Sequence, residues 1–143
     1  MTPISSGSSA PSRVLIDWKG NHNFDAGREG KPIVRIDGDG VTGPTPPDTL
    51  LMALASCVSV DVVDILAKRR TPVEIYSVEV LGERADTVPR RFRHITLNVS
   101  MTGAGIERVH AERAIDLAVN KYCSVKDSLA SDLPVVWNLF LNE

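Results

Sequence analysis

The stretch TPPDTLLMALASCVSVDVVDILAK, Thr45–Lys68, decides the fold. Apart from small and acidic positions it is apolar on every side, and it is too long for a strand. A helix that is apolar all round must be covered. Its start is well specified. Thr45 is placed to cap it, and Pro46 suits the first helical position, where a missing N–H costs nothing. Asp48 follows Thr45 at capping-box spacing. At the far end Lys68, Arg69 and Arg70 suit a helix C-terminus, and Pro72 forbids continuation. Cys57, one of only two cysteines, lies near the middle.

Working outward, Arg13–Lys19 alternates and predicts a first strand, and Pro32–Ile36 a second. Asn21–Lys31, with Gly27 and Gly30, reads as a turn or an irregular strand extension. Asp37-Gly38-Asp39-Gly40 marks a loop leading to the helix. After the helix, Val73–Glu83 and Phe92–Met101 predict an antiparallel strand pair joined by a charged loop. In the second strand Ile95, Leu97, Val99 and Met101 share one face. Ile106–Tyr122 carries apolar residues at helical steps. Ser124-Val125-Lys126-Asp127 has capping-box spacing and predicts a short helix over 125–130. Val135–Leu141 is a last apolar strand. The fold class is α+β, an antiparallel sheet with helices segregated against it. Residues 1–12, Ser-rich and uncharged at the side chains, read as a disordered tail, and residues 13–143 as a single domain. One small sheet and one amphipathic helix cannot cover an all-apolar helix, so a two-fold homodimer is expected.

Composition excludes several classes. At 43% hydrophobic and 24% charged residues with a net charge of −2, the chain resembles a soluble globular protein. It lacks the basic face and the aromatic residues of a nucleic-acid binder. No signal peptide opens it, and Ser56, Ser59, Asp61 and Asp64 interrupt the single membrane candidate. A cytoplasmic location with reduced thiols is the expectation.

The chemistry rests on the two cysteines. Cys57 lies about three turns into its helix, too far to draw on the helix dipole, so an activated thiolate there needs an outside cation. Arg28, between Gly27 and Gly30, is the best candidate, and a solvated surface arginine is its other reading. Cys123 precedes the proposed short helix, beside Lys121 and Lys126, where free N–H groups favour a thiolate; filling a core gap is its other reading. No Cys-x-x-Cys, metal-ligand spacing, phosphate loop or Gly-x-Ser-x-Gly elbow is present, so no cofactor or metal is called for.

Three segments carry a family resemblance. They are GPTPPDTLLMALASC (Gly43–Cys57), RRFRHITL (Arg90–Leu97) and KYCSVKDSLA (Lys121–Ala130). Together they resemble the OsmC/Ohr family of thiol-dependent hydroperoxide reductases over nearly the whole chain. The resemblance implies an intertwined homodimer with long central helices and active sites at the subunit interface. It implies that Cys57 attacks a hydroperoxide and becomes a sulfenic acid, that Cys123 resolves it as a disulfide, and that a dithiol reductant of the lipoyl type restores both. It places Arg28 beside the reacting thiolate, with Asp48 as the nearest match to the carboxylate that holds that arginine. The organic-hydroperoxide branch has a glutamate one position earlier, where this chain has Pro47, and a proline after the second cysteine, where it has Ser124. Apolar surface near Cys57 suits an organic hydroperoxide as substrate. The alternative is a non-catalytic dimer of the same fold that binds an apolar small molecule in its cleft.

Overall fold

The computed structural model describes residues 10–143, so most of the expected tail lies outside the described residues. The chain forms two compact units, divided after Thr49.

In the N-terminal unit, β1 (Leu15–Trp18), β2 (Asn23–Gly27) and β3 (Val34–Asp37) form an antiparallel meander in the order β1-β2-β3. The segment left open between turn and strand is thus a regular central strand at Asn23–Gly27. Its pairing is fixed by Gly20 and Asn21, both at positive φ in the β1–β2 turn, and by an Arg35–Asp25 ion pair of 3.0 Å across β2 and β3. Asp37 ends β3 buried. Its carboxylate accepts the N–H groups of Asp39, Val41 and Thr42 and the Thr42 hydroxyl. These bonds replace water around the charge and fix the loop that leads to the long helix. The Thr42 and Asp39 amides hold the Asp37 pKa down at about 2, against an ordinary 3.8, although burial opposes them. A depressed carboxylate stabilises the native state above its unfolded pKa and loses that contribution as pH falls through the folded one. Asp37→Asn should therefore lower Tm at neutral pH. The Tm difference from wild type should shrink as pH falls from 3.8 toward 2; melting curves across that window check it.

The helix α1 spans Pro46–Lys68, as its terminal residues predict. The capping box forms in both directions: Thr45 N–H donates to Asp48 Oδ2 at 3.0 Å, and Asp48 N–H donates to Thr45 Oγ1 at 3.2 Å. At the other end Thr71 N–H reaches Leu66 O, and Arg70 N–H reaches Ala67 O. Arg70 adopts φ 65°, so the helix closes in a Schellman turn with arginine where glycine is usual.

The second unit, Leu50–Glu143, holds most of α1 and a sheet ordered β4-β5-β6. Its strands are β4 (Ile75–Arg84), β5 (Phe92–Thr102) and β6 (Val135–Leu141). Strands β4 and β5 pair antiparallel, and the predicted face of β5 is buried, with Ile95, Leu97 and Val99 at 0% exposure. These side chains pack with Leu54, Val58, Val62 and Leu66 of α1 and with Ala111, Ala114 and Ile115 of α2 (Arg108–Leu117). On the solvent face Asn138 donates to Asn98, which donates to Glu79.

Four details depart from expectation. Strand β6 runs parallel to β5, so the sheet is mixed. The residues between the two strands form the long helical crossover that a parallel pair requires. The second helix ends at Leu117 and passes into a π-helical turn, Ala118–Tyr122. The short helix α3 covers only Ser124–Asp127. Finally, α1 is long and apolar enough to cross a membrane by length and composition. Leu54, Val58, Val62 and Leu66 are nevertheless buried in the core, while Met52 and Val60 are 50% and 61% exposed.

Candidate active site

Two cysteines far apart in sequence meet in the second unit. Helix α1 brings Cys57 half-buried against the core, and both thiols are free. Cys123 is buried and follows the π-helical turn, which closes with Cys123 N–H donating to Ala118 O at 2.9 Å. A π turn adds a residue to the helical repeat and recurs at functional sites. Cys123 then caps α3 itself: its Sγ accepts the Lys126 N–H at 3.3 Å. The sequence spacing suggested Ser124 for that cap. With the cap taken by Cys123, the Ser124 hydroxyl turns to Cys57, its Oγ 3.9 Å from Cys57 Sγ.

The two thiols differ in acidity. Burial pushes the Cys57 thiol up, but the Val125 N–H, the Cys123 thiol and the hydroxyl and N–H of Ser124 all favour its thiolate. The net result lies below the ordinary 9.0. Burial also pushes the Cys123 thiol up. The Lys126 N–H opposes this, but the neighbouring Cys57 adds to it, and the pKa is raised. Of this adjacent pair, Cys57 is therefore the more acidic thiol and Cys123 the less acidic.

This reverses part of the sequence expectation. Free amides at the start of α3 were expected to favour a thiolate at Cys123; the Lys126 and Val125 N–H groups do lower its pKa, but burial and the neighbouring Cys57 outweigh them, and the Val125 and Ser124 N–H groups also favour the Cys57 thiolate. Cys57 was expected to depend on an outside cation, yet within its own unit it already has four hydrogen-bonding groups. Ser124 and Val125, whose groups bond the Cys57 thiol, were not among the site residues singled out from the sequence. Their only signal was the polar, cap-forming run after Cys123. Differential alkylation checks the order of ionisation: iodoacetamide should label Cys57 before Cys123 as pH rises, with half-maximal labelling of Cys57 below pH 9.0.

The other two candidates sit in the N-terminal unit. Arg28 follows β2 at the tip of the β2–β3 connection, where its carbonyl accepts the Lys31 N–H. Its side chain is exposed and makes no hydrogen bond among the described residues of that unit. Asp48 is exposed in the first turn of α1, and its carboxylate is engaged in the capping box with Thr45. The structure therefore brings Cys57 and Cys123 together and gives Asp48 a helix-capping role.

A long helix packed on one face against a sheet, with two unlike cysteines in contact, defines a thiol protein of α+β build. Residues 37–138 match the family model for OsmC-like protein, and the chain belongs to that family. It is 38% identical over 96 residues to Protein YhfA of Escherichia coli (strain K12), covering 67% of this chain and 72% of that protein. Its fold is similar to that of the OsmC-like protein from Mycoplasma pneumoniae, with a TM-score of 0.80 at 16% identity, covering 95% of this chain and 100% of that one. It is also similar to the organic hydroperoxide resistance protein of Bacillus subtilis, with a TM-score of 0.60 at 14% identity, covering 91% and 98%.

Proposed function

We propose that this chain is a cytoplasmic thiol peroxidase that reduces organic hydroperoxides. The observation that carries the reading is the paired, unlike thiols: the Ser124 Oγ lies 3.9 Å from Cys57 Sγ, the Ser124 and Val125 groups make Cys57 the more acidic sulfur, and Cys123 stands in contact as the less acidic one. The Cys57 thiolate attacks the terminal oxygen of the hydroperoxide. The O–O bond breaks, Cys57 becomes a sulfenic acid, and the departing alkoxide takes a proton from solvent to leave as the alcohol. The Cys123 thiol then attacks the Cys57 sulfur, water leaves, and the Cys57–Cys123 disulfide forms. A dithiol of the lipoyl type returns both thiols.

Arg28 supports the reacting thiolate in this reading, and Asp48 orients it in addition to capping α1. The two units act as one OsmC-like domain, a view favoured by a family match that runs across both. The working form is a homodimer. Ala53, Ser56, Val60, Val63 and Ala67 are exposed along one face of α1 at alternating steps of three and four residues, the spacing with which helices pack against each other. Apolar residues packed around Cys57 favour an organic substrate over hydrogen peroxide.

The test is peroxide consumption by the reduced protein with dihydrolipoamide. tert-Butyl hydroperoxide should be consumed about tenfold or more faster than hydrogen peroxide, since apolar contacts made by one substrate alone are worth about that much. Equal rates would remove the organic substrate from the reading. Arg28→Ala should lower the rate while leaving the Cys57–Cys123 disulfide able to form; an unchanged rate returns Arg28 to the surface.

A further inference from the structure

The β4–β5 hairpin carries a concentration of charge that the cysteine chemistry does not use. Residues 84–93 hold Arg84, Arg90, Arg91 and Arg93 against one acid, Asp86, in a chain whose net charge is −2. Two of these arginines are tied down. The mouth of the hairpin loop is closed by Ala85 N–H, which donates to Arg91 O at 2.8 Å. Arg84 Nε crosses that mouth to donate to Arg90 O at 2.8 Å, and Arg90 Nε crosses back to donate to Ala85 O at 3.2 Å. Each guanidinium is thus anchored to backbone at or next to the other arginine. Arg84 also lies over the Phe92 ring, its Cζ 6.0 Å from the centroid. That ring packs against the core and has a fixed seat. Gly82 beside it leaves the space, since a Cβ there would come within 2.5 Å of the ring.

An arginine held through Nε keeps its two Nη groups as an open fork. Among the described residues, the Arg84 and Arg90 forks meet no acceptor. Arg91 shows how such a fork is filled: its Nη1 and Nη2 donate to Asp132 Oδ2 and Oδ1 at 3.2 and 2.9 Å. One carboxylate is used up by one fork in this way. A phosphate group has enough oxygens to accept from two forks at once. The side-chain entropy that a free arginine loses on binding is here already lost in the unbound protein. We propose that the mouth of the β4–β5 hairpin is a phosphate-binding site in which the Arg84 and Arg90 forks clamp one phosphate group. Arg93, exposed on the following strand, adds positive charge to the surroundings. The phosphate comes from a soluble phosphate or from a lipid headgroup. Val88, at 90% exposure on the same loop, gives the second source an apolar foothold. The site uses neither cysteine and does not depend on the peroxidase reading.

The test has two arms on the full-length protein. In the first, inorganic phosphate is titrated and the arginine Nε–H signals are followed by NMR. The Arg84 and Arg90 signals should shift together with a single affinity. Acetate at matched ionic strength should bind about tenfold or more weakly, since it fills one fork rather than two. In the second arm the protein is sedimented with phosphatidylglycerol vesicles and with phosphatidylcholine vesicles. A lipid headgroup as the source predicts retention on the anionic vesicles alone, falling as salt is added. Binding in either arm supports the site and names its source. No binding in both, or equal binding of acetate and phosphate, overturns the proposal. The double variant Arg84→Lys, Arg90→Lys keeps both charges and removes both forks. It should weaken binding about tenfold or more in the arm that binds, with peroxide consumption and the urea midpoint unchanged. Binding kept in full by the lysine variant overturns the clamp. The wild-type titration decides the matter even where the variant fails to fold.

Discussion

Replacing Cys57 by serine should bring peroxide consumption down by about three orders of magnitude or more, to the uncatalysed background, because the reacting nucleophile is gone. Serine is close to isosteric, and Ser56 and Ser59 already stand in the same helix, so the fold should survive and circular dichroism should be unchanged. Cys123→Ser separates the two thiols. It leaves Cys57 with its Val125 and Ser124 groups, so one equivalent of peroxide should still be consumed per chain. No disulfide can follow, and dimedone should trap the sulfenic acid at Cys57. Sustained consumption by the Cys57 variant would move the nucleophile to Cys123. Absence of the dimedone adduct in the Cys123 variant would mean that Cys57 cannot be oxidised without its neighbour.

The parts of this site that were legible in the sequence are those set by short-range chemistry. Thr45, Pro46 and Asp48 specify a helix start through bonds within four residues, and both bonds of the box form. The alternation of β5 reports its buried face because side chains switch sides at every residue. The α+β class, the family and both cysteines followed from such local patterns. What escaped was set by partners distant in sequence. NFDAG, Asn23–Gly27, has little strand character of its own and becomes a strand because β1 and β3 pair with it from both sides. The parallel setting of β6 depends on how α2 and the π turn carry the chain across the sheet, and no residue within β6 records it. The acidity of Cys57 belongs to the same category. Nothing within one turn of it on α1 favours a thiolate, and the groups that do lie near Cys123, brought in by tertiary packing.

The long helix makes two demands that can be told apart by mutation, and Leu66→Ala should show the first. Leu66 is at 0% exposure among the side chains of β5 and α2. Its truncation leaves a cavity in a core that can relax only partly, at a cost of about 2–5 kcal/mol. Urea unfolding should move to a lower midpoint with an unchanged slope. Val60 lies on the same helix at 61% exposure, so the core of one chain does not require it. If a second copy covers that face, Val60→Asp places an unpaired carboxylate where the two helices meet and should convert a dimer into a monomer in sedimentation. The wild-type unfolding midpoint should rise with protein concentration, as mass action requires of a dimer, and the Val60 variant should lose that dependence. Leu66→Ala should keep it, because the interface is untouched. A wild type that sediments as a monomer, with a midpoint independent of concentration, would leave the exposed face of α1 without a second copy of the chain to cover it. An all-apolar helix would then be only half explained by burial within its own chain.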